Sequence, residues 1–465
     1  MNAAHPTVSR VLVANRGEIA LRIIRACEQL GIETVLAVSA ADRDSLPARV
    51  AGRAICIGPA ASARSYLDIG ALITAARAGG CDALHPGYGF LAESPALAQA
   101  CADAGLVFVG PRPDQIRDMG NKLQARERAK AYGLPMLPGS EKVASWQAAT
   151  QVAEHIGYPV LLKAASGGGG RGMKVVAHPN EMQRLFEAAS EEARAAFGDN
   201  TLYLERYVAH ARHVEVQVLG DAYGHVIHLG ERDCSLQRRH QKLVEESPAP
   251  RIDAKLRADI CEAGAGLARS IGYLSAGTVE FLYDEEHQAY YFLEMNTRIQ
   301  VEHPVSEMVT GIDLVQEQLR VARGEALRFA QEDIVFRGHA IECRINAEVP
   351  TEGFRPSPGR ITDWQPPQGP NIRLDSHCEP GYVVPPYYDS MIGKLIVYGA
   401  DRQEALERMR QALARFRIGG IGTTLEFLRQ VMVQPDFAAG RVSTRLIEQM
   451  LSEAASSAPA APATH

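Results

Sequence analysis

The sequence predicts an α/β chain that passes into α+β. It comprises an N-terminal doubly wound parallel sheet, a central strand-rich region with a mobile glycine-rich lid, and a C-terminal strand-rich α+β domain. Three observations predict this. Up to about residue 113, short apolar strands alternate with helical repeats, the mark of βαβ units. From about residue 201 the apolar period switches to two, as in His213-Val-Glu-Val-Gln-Val-Leu219, which suits an antiparallel sheet with two distinct faces. Beyond Phe329, Pro356, Pro358, Pro366, Pro367 and Pro370 punctuate short strands.

The elements follow in order. Arg10 to Ala14 is an apolar strand that turns through Asn15-Arg-Gly17 into a helix over Glu18 to Leu30, where Ile19, Ile23, Ala26, Cys27 and Leu30 recur at helical spacing. Gly31 stops that helix and Glu33 to Ser39 is the next strand. A second unit runs from Ala83 through the loop His85-Pro-Gly-Tyr-Gly-Phe-Leu-Ala-Glu-Ser94 and a helix to the strand Leu106 to Val109. Tyr88 in that loop either lines a cleft or packs its own turn. The first turn holds one glycine, so a dinucleotide fingerprint is weak there.

Ser166-Gly-Gly-Gly-Gly-Arg-Gly-Met173 contains a formal Gly-x-Gly-x-x-Gly, yet it lies between two expected strands, Tyr158 to Ala164 and Met173 to Val176. A glycine turn between strands is a flap whose N–H groups can close over phosphates, with Lys163 as a phosphate cation. The alternative is a flexible hairpin tip. The segment Glu231-Arg-Asp-Cys-Ser-Leu-Gln-Arg-Arg-His-Gln-Lys242 is the densest basic cluster and reads as a loop, either a local oxyanion site or plain surface. Helices are expected over Asp253 to Ile271, Gly311 to Gly324 and Asp401 to Phe416, and a disordered tail over residues 454 to 465.

The stretch Glu294-Met-Asn-Thr-Arg-Ile-Gln-Val-Glu-His303 carries the most chemistry. If extended, it projects Glu294, Asn296, Arg298, Gln300 and Glu302 from one face. A hairpin joining Thr278 to Tyr283 with Tyr290 to Met295 sets Glu280 beside Glu294 and Asn296. Two carboxylates and an amide oxygen suit a hard cation such as Mg²⁺. A half-buried strand with a solvated face is the plainer reading.

Composition narrows the class. At 465 residues two or three subdomains are expected. Eight cysteines include no Cys-x-x-Cys, the net charge is −6, and no apolar run approaches the ~20 residues of a membrane span. A cytoplasmic protein that binds neither nucleic acid nor membrane is expected.

Five motifs together resemble the biotin carboxylases of the ATP-grasp superfamily: residues 14–20, 85–91, 232–242, 294–303 and 385–394. The resemblance runs from about Arg10 to the helix before the tail. It implies an N-terminal domain over 1–113, an ATP-grasp domain over 114–328 with its lid at about 137–208, and a C-terminal domain over 329–453. It implies ATP, Mg²⁺ or Mn²⁺, bicarbonate, and biotin presented as substrate by a separate biotin carboxyl carrier protein. Carboxyltransferase subunits are implied as further partners and a homodimer as the assembly. Implied ATP contacts are Lys122, Lys163, the flap glycines Gly169 and Gly170, the hinge Glu205, Arg206, Tyr207 and Val208, and His213, Gln237 and His240. Glu280, Glu294 and Asn296 would hold the metal. Lys242, Arg298 and the Val301 N–H would hold bicarbonate, with Glu302 as general base and Arg344 facing biotin. The implied system is acetyl-CoA carboxylase or a related acyl-CoA carboxylase, with pyruvate and other biotin-dependent carboxylases as alternatives. A different ATP-grasp ligase would not need Arg298 to Glu302, and a nucleotide sensor would lack part of the charged set.

Overall fold

A computed structural model of the chain describes residues 8–140, 142–165 and 173–457. Strands β1 (Arg10–Val13), β2 (Glu33–Ser39), β3 (Arg53–Gly58), β4 (Ala83–His85) and β5 (Val107–Phe108) pair in parallel in the order β3-β2-β1-β4-β5. The order reverses between β1 and β4, and in such sheets the crevice beyond the strand ends at that point is the natural ligand site. Here the Asn15 side-chain amide donates to the carbonyls of Pro86 and Tyr88, both at 2.7 Å, and so ties the two loops of the switch point together. The helix Gly17–Gln29 buries Ile19, Ala20, Ile23 and Cys27 on the periodic face that its sequence shows.

The glycine segment joins two strands, as the sequence predicts. β6 (Val160–Ala164) pairs antiparallel with β7 (Lys174–Val176) on one side and β8 (Leu202–Arg206) on the other. This small sheet packs on the helices Trp146–Ile156 and Met182–Phe197 through a separate core that includes Ala149, Val160, Leu162 and Leu204. Gly169 and Gly170 lie outside the described residues.

Eight further strands build one antiparallel sheet, and three short two-stranded sheets lie in the C-terminal region. β9 (Ala211–Gly220), β10 (Val226–Arg238), β11 (Gln241–Ser247), β12 (Ser275–Asp284), β13 (Ala289–Asn296) and β14 (His339–Asn346) run in the order β13-β12-β9-β10-β11-β14. The strands Met391–Gly399 and Ile372–Asp375 complete it. The sheet therefore crosses the boundary expected near residue 328, because β11 pairs with β14 from Val244↔Cys343 to Ser247↔Ala340.

Two readings of the sequence need correction. Residues 231–242 are not a surface loop. They form most of the hairpin β10–β11, which turns at Arg239 and His240 with φ of 48° and 66°. Glu231, Arg232, Asp233, Ser235 and Gln237 are buried, because charged partners on neighbouring strands satisfy them inside the sheet. The stretch from Glu294 is extended only to Asn296; a turn follows, and the helix His303–Thr310 begins at once. Ile299 is nonetheless buried against the N-terminal domain, so the polar residues around it stay together. At the other end, the helix Leu446–Ser457 reaches four residues into the stretch read as tail, and residues 458–465 lie outside the described ones.

Candidate active site

A cleft of about 870 Å³ lies between the three regions. The switch-point loops supply Arg16, Glu18 and Tyr88, the lid supplies Lys163, Tyr207 and Val208, and the large sheet supplies the charged floor. Of the sequence-predicted residues, Tyr88, Lys122, Lys163, Arg206, Tyr207, Val208, His213, Gln237, His240, Lys242, Glu280, Glu294, Asn296, Arg298, Val301, Glu302 and Arg344 all line it. Glu205 does not. Its buried carboxylate pairs with Lys163 at 2.6 Å and with Arg126. It thus holds the lysine that reaches the cleft.

The floor is an array of alternating charge. Lys242 donates to Glu215 (2.6 Å), Glu280 (3.1 Å), Gln300 (3.1 Å) and Glu302 (2.7 Å). Glu302 accepts from Arg344 at 2.9 Å through its other oxygen, and Arg344 Nε is anchored by Glu245 at 2.6 Å. Burial alone would raise the Glu302 carboxyl, but Lys242, Arg344 and Arg232 outweigh it and hold Glu302 well below the ordinary carboxylate range. Glu302 is therefore an ionised base wedged between two cations. Lys242, despite burial, is held well above the usual lysine value by Glu215, Glu280 and Glu302.

Glu280 and Glu294 face one another across β12 and β13, with Asn296 opposite Thr278. Asn296 donates to Glu280 at 2.9 Å, and its amide oxygen accepts from Arg298 at 3.2 Å. Lys242 and His213 hold Glu280 well below its usual range against burial, whereas burial and then the Glu280 charge raise Glu294. Two carboxylates whose ionisations oppose each other are a donor set that a divalent cation would relieve. His213, at 3.0 Å from Glu280, is raised by that carboxylate against burial. Arg298 is fixed by Glu93 at 2.9 Å, and Glu93 also accepts from the Thr297 N–H at 3.1 Å. Glu93 belongs to the His85 to Ser94 loop, so the N-terminal domain sets the direction of Arg298.

Three family models match in succession. The biotin carboxylase N-terminal domain covers residues 7–116, the carbamoyl-phosphate synthase L chain ATP binding domain 121–330, and the biotin carboxylase C-terminal domain 342–449. The chain belongs to the biotin carboxylase family. A biotin carboxylase of Nostoc is 53% identical over 95% of this chain and 99% of its own length. A pyruvate carboxylase subunit of Methanothermobacter thermautotrophicus is 49% identical over 95% of this chain and 90% of its own. Among solved structures, the biotin carboxylase of Campylobacter jejuni superposes with a TM-score of 0.93 at 48% identity, covering 95% of this chain and 99% of that one. The biotin carboxylase domain dimer of Hydrogenobacter thermophilus 2-oxoglutarate carboxylase, in complex with MgADP, ADP and bicarbonate, gives 0.92 at 46% identity over 96% and 98%.

Within this biotin carboxylase fold, sequence reasoning missed the layer beneath the floor. Arg232 and Glu215 are both fully buried and pair at 2.6 Å; Arg232 also donates to Gln217 (2.7 Å), Ser306 (3.1 Å) and Thr278 (3.2 Å). The alternation of His213, Glu215 and Gln217 carried the signal, since a polar face on a central strand needs internal partners. Replacing Arg232 by Met is expected to lower stability by about 3–5 kcal/mol, the usual cost of leaving a buried pair half broken. Denaturant unfolding reads it, and a loss below about 1 kcal/mol would mean that Lys242 alone satisfies Glu215.

Proposed function

We propose that this chain carboxylates biotin on a separate biotin carboxyl carrier protein, using ATP and bicarbonate, as the biotin carboxylase component of an acyl-CoA carboxylase such as acetyl-CoA carboxylase. The observation that carries the reading is Glu302, ionised between Lys242 and Arg344 on the floor of a cleft that also presents the Glu280 and Glu294 pair. Bicarbonate sits by Lys242, Arg298 and the Val301 N–H, and Glu302 accepts its proton. The freed oxygen attacks the γ-phosphorus of ATP, the bond to the β-γ bridging oxygen breaks, and ADP leaves. Glu280, Glu294 and Asn296 would hold Mg²⁺, which supplies charge neutralisation on the phosphate oxygens. Lys122 and Lys163 would meet the phosphates or the adenine and His240 a phosphate, while Arg206, Tyr207 and Val208 with His213 and Gln237 would frame the nucleoside. Carboxyphosphate then breaks to CO₂ and phosphate. The phosphate takes the N1 proton of biotin, Arg344 balances the charge that develops on the ureido oxygen, and N1 attacks the carbon of CO₂ to form the new C–N bond of carboxybiotin. Closure of the flap keeps water from the intermediate.

A homodimer, carboxyltransferase partners and a cytoplasmic setting belong to the same reading. The dimeric Hydrogenobacter relative supports the first, and eight free cysteines, seven of them buried, support the last. No helix among the described residues is long and apolar enough to cross a membrane.

Phosphate release from ATP, measured with and without bicarbonate and free biotin, tests the function. Cleavage that depends on bicarbonate and rises with biotin is expected; cleavage indifferent to both would sink the proposal. Because the only Met-Lys pair is Met173-Lys174 in the flap segment, streptavidin is expected to find no biotin on the purified chain. A stoichiometric signal would make the chain its own carrier. Replacing Glu280 or Glu294 by Gln is expected to raise the Mg²⁺ concentration needed for half-maximal turnover by about tenfold or more, with the fold retained. Unaltered Mg²⁺ titrations in both variants would take the pair out of the metal site.

A further inference from the structure

Lys394 lies in the strand Met391–Gly399 directly across from Arg344. Cross-strand partners project from one face. Arg344 reaches the Glu302 carboxylate at 2.9 Å, and Lys394 Nζ donates to the Val301 carbonyl oxygen at 2.8 Å. Two neighbouring cations thus grip two successive residues of the turn that ends at the catalytic base. The Lys394 side chain is fully buried, 0% exposed. Its charged neighbours are Glu18 at 3.3 Å and Asp375 at 3.9 Å, and the Tyr88 ring centroid lies 5.9 Å away. Asp375 already has a bidentate partner in Arg373, at 2.9 and 2.7 Å, so it does not need the ammonium. Glu18 accepts from the Tyr88 hydroxyl as well.

A lysine with no access to water is an expensive way to fill a core position, and an apolar side chain would pack as well. What an apolar side chain cannot do is donate to a main-chain carbonyl. The Val301 carbonyl belongs to the rigid peptide unit that joins Val301 to Glu302, so fixing that oxygen fixes the plane from which the Glu302 side chain is hung. We propose that Lys394 is a positioning residue for bicarbonate activation: from the C-terminal region it holds the Val301–Glu302 peptide so that Glu302 meets the bicarbonate proton. Glu18, itself held by the Tyr88 hydroxyl, meets the ammonium from the other side, so the N-terminal domain completes the support.

This rests on Glu302 being the base, and the test separates the two claims. Lys394→Met removes the donor, and Lys394→Met combined with Glu18→Gln removes the buried charge as well, so that a folded neutral variant is in hand. Bicarbonate-dependent ATP cleavage is measured on the full chain for both variants beside the wild type, with bicarbonate and ATP varied in turn. In both, kcat/KM for bicarbonate is expected to fall about 10- to 100-fold, the range set by loss of a hydrogen bond from a charged donor, while KM for ATP stays within about twofold. A loss of active enzyme with KM for bicarbonate and kcat per folded molecule unchanged would make Lys394 merely structural and overturn the proposal. A wild-type enzyme that shows no bicarbonate dependence overturns the functional reading instead, and the proposal with it.

Discussion

Glu302→Gln is expected to lower kcat for biotin-dependent ATP cleavage by about 10²–10⁴-fold, the usual cost of removing a positioned general base. The glutamine keeps the shape of the side chain and can still meet Lys242 and Arg344 through its carbonyl oxygen, but it cannot accept the bicarbonate proton. ATP affinity is expected to hold. The residues proposed to face the nucleotide, Lys163 on β6, Tyr207 and Val208 just after β8, and His240 at the β10–β11 turn, make no hydrogen bond or ion pair with Glu302, which meets Lys242 and Arg344. Because Lys242, Arg344 and Arg232 hold Glu302 well below the ordinary carboxylate range, its ionised form stabilises the fold, and the loss of that charge is expected to lower stability alongside turnover. Stopped-flow or steady-state phosphate release gives kcat, and calorimetry with a non-hydrolysable nucleotide gives affinity. Turnover within threefold of the wild type would remove Glu302 from the role of base. A parallel collapse of nucleotide affinity would place it in the ATP site instead.

Sequence carried the identities of the site but not the depth at which they sit. That a hairpin sets Glu280 beside Glu294 was legible from the two alternating strands, but the exact pairing was not: the register that runs from Asp284↔Ala289 to Phe281↔Phe292 would set Glu280 opposite Leu293, and an irregularity between Glu280 and Phe281 shifts it by one residue to Glu294. The basic run 231–242 was misread because charged residues on a central strand are satisfied by the protein and not by water. Arg232 is satisfied by Glu215, Gln217, Thr278 and Ser306, which come from three other segments that a linear reading does not bring together. The path after Asn296 was misread for a related reason. Alternation describes which side chains share an environment, and a turn that buries Ile299 in the N-terminal domain groups Arg298, Gln300 and Glu302 as well as a strand does. Lys394 closes the 385–394 motif, yet nothing local gave it a role. It stands in Met-Ile-Gly-Lys-Leu-Ile, which reads as a core strand with a stray charge, and only the pairing with β14 shows that the charge lies beside Arg344.

The acid limb of the rate is the sharpest test of how that floor is built. Lys242 is the largest favourable influence on the ionised form of Glu302, ahead of Arg344 and Arg232. Replacing Lys242 by Met removes hydrogen bonds to Glu215, Glu280, Gln300 and Glu302 at once and leaves three carboxylates sharing the remaining cations. The direction follows from linkage. A carboxyl whose folded pKa is depressed stays ionised, and stabilises the fold, from above its unfolded value down to its folded value, and both are lost as pH falls through the folded value. In the wild type that loss comes well below the ordinary carboxylate range. Without Lys242 the Glu302 pKa rises, so the acid limb of kcat/KM for bicarbonate is expected to move to higher pH. At the pH optimum, kcat is expected to fall about 10²–10³-fold, as for removal of one preorganised electrostatic donor. Stability at neutral pH is expected to fall by about 3–5 kcal/mol, because Glu215 and Glu302 remain buried with a weaker set of counter-charges. Initial rates across pH, paired with denaturant unfolding at each pH, read all three. An acid limb that stays in place while kcat falls would mean that Arg344 and Arg232 alone hold Glu302 ionised, and that Lys242 acts on bicarbonate rather than on the base.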